Sequence, residues 1–555
     1  MLKKLSSYKY EFGILIIIGL VAYSGYIINV IPNPDAIWNG LYYKSSYKWE
    51  IALGRFMVGI WQVIFGNAVV PSLTAILSII LSALSGTMIS AIFNIRNKVL
   101  TIIIGLIIMF SPHMLSGMTY YYCFIYYMIA QALMILAVWL ITEHKYVLGI
   151  CAIVISLGTY QAYLQVLLIV GLLYVFFSIS ERGLYKNADE NKSGIQFVIK
   201  DILVYVFVVL IGIIFYLIVN KIVLMATGVE ADSGRGFSSM GILGIKQILC
   251  GIISCYKEFA NYFVGTELVN NEYVVLFIQR RFINIAVFIL GIVLLVIYLK
   301  KSNSFLNRCI CIFLTLLVPV CAMAMVIVAP GVSIYDTTGA LVLAAMNYVF
   351  LIPVIILDRL GDMSLYGVLS EKLSNRDSSN ILLKENIFLK SNKIFNYIGI
   401  CILFLFIVMN VQMTFHAESY LKASYNKTYT VASKISSEID EVIGSSETDS
   451  KKIKVPTVCI IGNMEAGNYP ELKKNLLSSI SWTVPSYGCI WDDVNGAQAT
   501  WIFTFKEFLG IKYKRCDIDT YQVLAVNEQV QNMPLFPQAG SVQMIDGVVV
   551  VKLSE

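Results

Sequence analysis

An acidic residue follows the first long apolar stretch of the chain, in the sequence NPDAIW at residues 33–38. Pro32 and Pro34 are expected to end the preceding helix, because proline has no amide hydrogen to donate. Asp35 should then lie just beyond the membrane, on the side reached after one crossing. A carboxylate there can act as a general base on an acceptor hydroxyl held beside it. The structural alternatives are a helix cap and a solvated loop residue.

The same connection, residues 32–66, supplies a second carboxylate, a cation and several aromatic rings. Glu50 is the candidate second acid. Arg55, in the sequence WEIALGRF, could hold a phosphate through paired hydrogen bonds, or it could anchor the chain at the membrane interface. Trp38 and Trp49 are the candidate sugar-binding rings of this connection.

Two further segments combine tyrosines with other polar groups, SPHMLSGMTYYYCFIYY at 111–127 and GTYQAYLQ at 158–165. Tyrosines can stack on sugar rings, but an aromatic belt at the membrane interface is the default explanation. Polar groups at the end of a helix pair serve either a ligand or helix–helix contacts. The candidate sugar- or acceptor-binding residues here are His113, Tyr121, Tyr160 and Gln161.

Composition places these residues in a membrane protein. The chain has 555 residues, of which 58% are hydrophobic and 14% charged, and its mean hydropathy is +0.75. A soluble protein carries roughly 25% charged residues. Apolar runs near the length of a spanning helix recur from residue 11 to 415 and predict about eleven crossings. They are 11–31, 68–94, 99–112, 122–141, 146–158, 161–180, 201–220, 282–299, 309–329, 338–357 and 394–415.

The last part of the chain has ordinary soluble composition and predicts an α/β fold. We therefore divide the chain into a membrane domain, 1–415, and a C-terminal domain, 416–555. The elements predicted in the second domain are a helix at 418–444, a strand at 455–463, a helix at 499–509 and a strand at 547–553.

The distribution of basic residues predicts the orientation. With the N-terminus in the cytoplasm, most Lys and Arg fall in inner loops, as the positive-inside rule requires. Asp35 and the C-terminal domain then lie outside the cell. An outer region at 221–281 also carries cations, among them Arg235 and Lys257. Because the rule disfavours cations there, an anionic ligand is the simplest reason for them.

Charge and cysteine content exclude some other classes. A net charge of +6, lying mostly in loops between spans, indicates topology and not a nucleic-acid surface. The 11 cysteines contain no CxxC pair, and the chain has only three histidines, so we expect no metal site. No cofactor is expected, although one or two carboxylates could bind a divalent cation weakly.

The chain resembles the bacterial type II Gtr group, glucosyl transferases related to phage-encoded O-antigen glucosyltransferases. The likeness covers nearly the whole length. The matching features are the outer loop with Asp35, the W-x4-GR element from Trp49 to Arg55, the turn at 111–127, the pair Tyr160–Gln161, and the ending NMPLFPQAGSVQMIDGVVVVKLSE.

This resemblance implies a membrane fold of the GT-C type, a sugar donor on polyprenyl phosphate, and transfer to a surface glycan at the outer face of a bacterial plasma membrane. It implies glucose as the sugar. Enzymes of this type commonly carry two acids in the first outer loop. Here Ala36 stands beside Asp35, so Glu50 is the substitute. In the implied inverting displacement, Asp35 takes the acceptor proton, and Arg55 with Arg235 or Lys257 neutralises the departing phosphate.

Three other functions are compatible with a chain of this kind. A transporter of polysaccharides or lipid-linked sugars is the first, but such proteins often show charges deep within their spans. These spans are nearly free of charge. A polysaccharide polymerase is the second, and a non-catalytic membrane scaffold is the third.

Overall fold

A computed structural model describes most of the chain. The described residues are 1–44, 46–185, 191–232, 245–264, 266–269, 272–275, 278–300, 305–328, 343–361, 379–446, 455–462 and 494–554. The predicted site at Arg235 lies outside them.

Helices dominate the described residues. The helices before residue 190 are α1 (Leu2–Ser6), α2 (Lys9–Ala22), α3 (Ser24–Ile28), α4 (Pro34–Asn39), α5 (Lys48–Ala52), α6 (Phe56–Ile64), α7 (Pro71–Ile92), α8 (Lys98–Met109), α9 (Pro112–Gly117), α10 (Phe124–Thr142), α11 (Tyr146–Thr159) and α12 (Leu164–Tyr185). The later ones are α13 (Asn191–Thr227), α14 (Ile245–Val264), α15 (Ile278–Lys300), α16 (Phe305–Ala322), α17 (Ala324–Val328), α18 (Met346–Val349), α19 (351–361), α20 (Ser379–Ser446), α21 (Val494–Leu509), α22 (Ile518–Ala525) and α23 (Glu528–Gln531).

Eight helical segments in the described part of the chain are long and apolar enough to cross a membrane. They are Pro71–Ile92, Phe124–Thr142, Gln161–Glu181, Ile202–Thr227, Phe282–Lys300, Phe305–Ala322, Leu343–Gly361 and Asn396–Gly444. Each overlaps one predicted span. The three other predicted spans are short or broken in the structure: 11–31 is interrupted at Tyr23, and α8 and α11 have 12 and 14 residues. The count of eleven therefore stays a prediction.

Small residues allow close helix packing in the centre of this bundle. Ser78, Ser82 and Ser85 of α7 are fully buried. A Cβ atom on Gly86 of α7 would lie 2.6 Å from the Cα atom of Gly105 in α8, so these helices approach backbone to backbone. Small residues at such crossings are typical of helices that associate within lipid.

One long helix, α20, links the bundle to the C-terminal elements. Its residue Leu421 belongs to the core of the bundle, whereas Val431, Ile435 and Ile439 belong to a second core with the strands. The predicted boundary at 415/416 thus falls inside a continuous helix, which also contains the helix predicted at 418–444.

A four-stranded sheet contributes to the second core together with α21. A separate hairpin pairs β1 (Thr266–Val269) with β2 (Glu272–Val275). The strands of the four-stranded sheet are β3 (Thr457–Ile461), β4 (Lys514–Arg515), β5 (Val542–Ile545) and β6 (Val548–Lys552), in the order β4-β3-β6-β5. β3 is parallel to β4 and β6, and β5 is antiparallel to β6. Asp546 and Gly547 both have positive φ angles, 51° and 76°, as a two-residue hairpin turn requires. β3 and β6 lie where strands were predicted.

Candidate active site

Asp35 lies in the first turn of α4, a helix of six residues. Asn33 is the N-cap, because its Oδ1 accepts a hydrogen bond from the Ala36 amide at 2.8 Å. Pro34 begins this helix instead of ending the preceding one, which already ends at Ile28. Proline suits this position because the first helical amides have no partner within the helix. Asn33, and not Asp35, is therefore the cap of this helix.

Arg55 is positioned by a glycine turn between α5 and α6. Gly54 has a φ angle of +76°, which favours glycine, and a Cβ atom there would lie 2.7 Å from the Tyr216 hydroxyl. The turn is held from outside: Gln161 Nε2 donates to the Leu53 carbonyl at 2.8 Å, and Tyr216 Oη donates to the Gly54 carbonyl at 3.1 Å. Gln161 thus supports the element that carries Arg55.

The guanidinium of Arg55 lies against two tyrosine rings. Its Nη1 donates to the Tyr127 hydroxyl at 3.0 Å, and its central carbon is 4.7 Å from the centre of the Tyr160 ring. These two rings are stacked, with centroids 4.1 Å apart. None of the acids that the structure describes forms an ion pair with Arg55, and its Nε atom has no hydrogen-bond partner among those residues. A bound anion would give Arg55 an ion-pair partner and would accept a hydrogen bond from its Nε atom.

Glu50 forms a buried ion pair with Lys44. The Lys44 Nζ contacts Glu50 Oε1, and the residues are only 7% and 4% exposed. Lys44 Nζ also donates to Asn39 Oδ1 at 2.7 Å and lies 4.5 Å from the centre of the Tyr122 ring. Glu50 Oε2 accepts no hydrogen bond from the described residues.

The start of α10 brings these groups together. Burial raises the pKa of the Tyr122 phenol well above its ordinary value, and the nearby charges of Asp35 and Glu50 add to the shift. Burial likewise raises the pKa of the Cys123 thiol to about 12, opposed by the cations Lys44 and Arg55. The charges of two acids and two cations therefore act on two adjacent residues, Tyr122 and Cys123.

Helix α21 packs on one side of this site. Trp38 of α4 lies against Phe503 of α21, with ring centroids 6.1 Å apart. Phe503 and Phe508 of α21 pack on a small cluster that contains Ala36 and Ile37. The helix with Asp35 thus lies between the bundle and α21, and Trp38 keeps 41% of its surface exposed there.

Two of the residues predicted to bind sugar or acceptor are buried and form hydrogen bonds within the protein. Tyr121 is 2% exposed, and its hydroxyl accepts a hydrogen bond from the Ile31 amide at 2.7 Å. His113 is also 2% exposed and shares a hydrogen bond of 3.1 Å with the Tyr163 hydroxyl. Trp49, in contrast, is 54% exposed. These positions leave Trp38 and Trp49 as the exposed predicted rings.

Lys257 lies elsewhere in the bundle. It is exposed on α14, which packs against α15, α16 and α17. No hydrogen bond or ion pair joins it to Arg55 among the described residues.

Sequence reasoning missed Lys44, Asn39, Tyr122 and Tyr127. Lys44 carries the one usable signal, since a lysine six residues before Glu50 in an aromatic loop can pair with it.

A search of the described residues finds no group of three or more His, Cys, Asp or Glu side chains suited to a metal ion.

The fold and these contacts define a mostly helical membrane protein with a polar site at one end of its bundle. Residues 26–357, more than half of the chain, match the family model described as Glucosyl transferase GtrII. The chain therefore belongs to this family, and the resemblance inferred from its sequence is confirmed. The match includes Asp35, Glu50 and Arg55 and stops at residue 357, before α20. No curated protein and no solved structure matches the chain.

Proposed function

We propose that this protein moves a glucosyl unit from a polyprenyl-phosphate donor to a polysaccharide at the outer face of a bacterial plasma membrane. The family supports the glucosyl transfer. The observation that carries the rest is that the helix with Asp35 packs on Tyr121 and Tyr122, while Arg55, which has no acidic partner among the described residues, donates to Tyr127 near the start of α10.

The chemistry proposed is an inverting displacement. Asp35 accepts the proton of an acceptor hydroxyl, whose oxygen attacks the anomeric carbon of the donor sugar. The bond between that carbon and the phosphate oxygen breaks, and the electron pair leaves with the phosphate. Arg55 neutralises the departing charge, which is typically a large part of catalysis in a site that excludes water. Arg235, which lies outside the described residues, is the remaining candidate for a second cation, since Lys257 lies elsewhere in the bundle.

Acceptor binding is assigned to the surface shared by the first loop and the C-terminal domain. Trp38 and Trp49 offer exposed rings, and Lys506 of α21 lies 5.9 Å from the ring of Phe503, which faces Trp38. Aromatic faces bind the apolar face of a sugar at low cost in conformational entropy.

The arrangement of the loops at the two ends of the bundle supports an outer location for Asp35. Asp35 lies at the same end as residues 119–123, 160–163 and the end of α13, since Asn33 bonds to Thr119 and Asp232 bonds to Ala52. Lysine-rich residues 1–9 lie at the other end, where the Tyr8 hydroxyl donates to the Ser90 and Ile95 carbonyls. By the positive-inside rule the second end faces the cytoplasm.

The test is a transfer assay with the purified full-length protein in lipid vesicles. One arm supplies labelled glucose on polyprenyl phosphate, and the other supplies labelled UDP-glucose; both contain surface glycan from a deletion strain. We expect label in the glycan from the lipid donor alone. Transfer from UDP-glucose alone would contradict the donor assignment. Accumulation of polyprenyl-linked intermediates in the deletion strain, with unchanged glycan, would favour a transporter instead.

A further inference from the structure

A chain of polar contacts connects Glu50 to the helix that carries Asp35. Glu50 Oε1 contacts the Lys44 ammonium, which donates to Asn39 Oδ1 at 2.7 Å. Asn39 Nδ2 in turn donates to the Asp35 carbonyl at 2.9 Å. Each link is local, but together they tie α5 to α4 across the loop between them.

We propose that Glu50 is the counter-ion of Lys44 and not a second acid in the reaction, and that Lys44 and Asn39 are positioning residues for Asp35. The inference rests on the proposed function, because it assigns roles within the same site. It replaces the catalytic role that the sequence suggested for Glu50.

The environment of the pair argues for this assignment. Both residues are almost completely buried, and removing one partner of a buried ion pair leaves an uncompensated charge. A carboxylate that took up a proton during each turnover would leave Lys44 in that state every time. Asp35 is more exposed than either residue of the pair, so a change in its charge takes place closer to solvent.

Positioning is needed because α4 has only six residues. A helix this short is not stable by itself in water. Asn33 holds its N-terminal end, and Asn39, its last residue, connects its C-terminal end to Lys44. A displacement of about 1 Å at a reacting group can cost about a hundredfold in rate.

A double-mutant cycle separates the counter-ion role from a catalytic one. The proteins are the native chain, Lys44→Gln, Glu50→Gln and the double variant, each assayed in vesicles at equal amounts with polyprenyl-phosphate glucose. We expect each single variant to lose more than about tenfold in kcat, and the double variant to return to within about threefold of native. The amide at position 44 still donates to Asn39, and no buried charge is left over. A double variant as inactive as Glu50→Gln would overturn the assignment.

Asn39→Leu tests the positioning role. It removes both hydrogen bonds of Asn39 but leaves Arg55 and the ion pair in place. We expect kcat per folded molecule to fall about tenfold or more while KM for the lipid donor stays unchanged. A purely structural role would lower the amount of folded protein and leave kcat per molecule at the native value, which would overturn the positioning claim.

The same four proteins of the cycle distinguish this inference from the proposed function. If the native protein moves no sugar from any polyprenyl donor, the proposed function fails. Thermal unfolding in detergent then still tests the ion pair between Lys44 and Glu50. Each single variant should unfold at a lower temperature than the double variant. Single variants as stable as the double would overturn the counter-ion assignment.

Discussion

The two ends of the helix bundle use the same residue types in different ways. At one end Asp358, 4% exposed, accepts hydrogen bonds from the backbone amides of Arg96 and Asn97, at 3.2 and 3.0 Å. Its neighbour Arg359 forms an ion pair of 2.6 Å with Glu181. At the other end Arg55 lies on tyrosine rings and forms no ion pair with a described acid.

The difference separates charges that are paired within the fold from a cation, Arg55, that has no acidic partner among the described residues. Asp358 and Arg359 join the loop at 94–97 to α12 and α19, so their charges are compensated within the chain. Arg55 presents a half-buried cation with no ion-pair partner among the described acids, an arrangement that a bound anion would stabilise. Substitutions at one end should therefore change activity, and substitutions at the other should change stability.

The largest expected effect is on Arg55. Arg55→Gln removes the charge that neutralises the leaving phosphate, and we expect transfer to fall by about a hundredfold to a thousandfold. Quantitative transfer assays in vesicles at equal protein amounts measure this. Arg359→Gln is the matched control, since it should lower the yield of folded protein but keep transfer per molecule. Similar losses of transfer per molecule in both variants would erase the contrast between the ends.

At the other end, Asp358→Asn should act on stability. The amide accepts the backbone hydrogen bonds less strongly and no longer compensates Arg359, so we expect the free energy of unfolding to fall by about 2 kcal/mol. Thermal unfolding in detergent is the measurement. An unchanged midpoint would show that this carboxylate is not a structural group.

A comparable effect is expected from the turn before Arg55. Gly54→Ala should destabilise the protein by about 2 kcal/mol, from backbone strain and from contact with the Tyr216 hydroxyl, and should also reduce transfer. Gly66→Ala is the control, because its φ angle is also positive, at +69°, but its Cβ atom would meet no atom within 4 Å. Equal losses of transfer in the two variants would contradict a role for the shape of this turn in placing Arg55.

The smallest expected effect is at the acceptor surface. Trp38→Ala should raise KM for the glycan acceptor by about threefold to tenfold, because one exposed ring is lost, and should leave KM for the lipid donor unchanged. Tyr10→Ala, an exposed aromatic residue at the opposite end, should change neither constant. An unchanged acceptor KM in Trp38→Ala would remove this ring from the binding surface.

Sequence patterns predicted the apolar helices well because lipid imposes length and composition on them. Eight predicted spans overlap helices able to cross a membrane. The break at Tyr23 was not predicted, since no proline or glycine stands at that position; the Tyr23 hydroxyl there donates to the Met109 carbonyl, a residue distant in sequence. The strands β3 and β6 followed from short β-branched runs between turn residues.

The site was only partly predictable for a similar reason. Asp35 and Arg55 stand out in the sequence by type and place, and the structure positions both at one end of the bundle. The partner of Glu50 did not stand out, because Lys44 resembles any other loop lysine until the chain folds. Tyr121 and His113 were attractive by residue type, yet burial gives them structural hydrogen bonds.

The most direct test of the central claim compares Asp35→Asn with Asp358→Asn in a deletion strain, with both variants expressed at equal membrane abundance. Both changes remove one carboxylate charge, at opposite ends of the bundle. We predict that Asp358→Asn restores the side-chain sugar of the surface glycan and that Asp35→Asn does not. Full restoration by Asp35→Asn would contradict the account, since the carboxylate proposed as the base would then be dispensable.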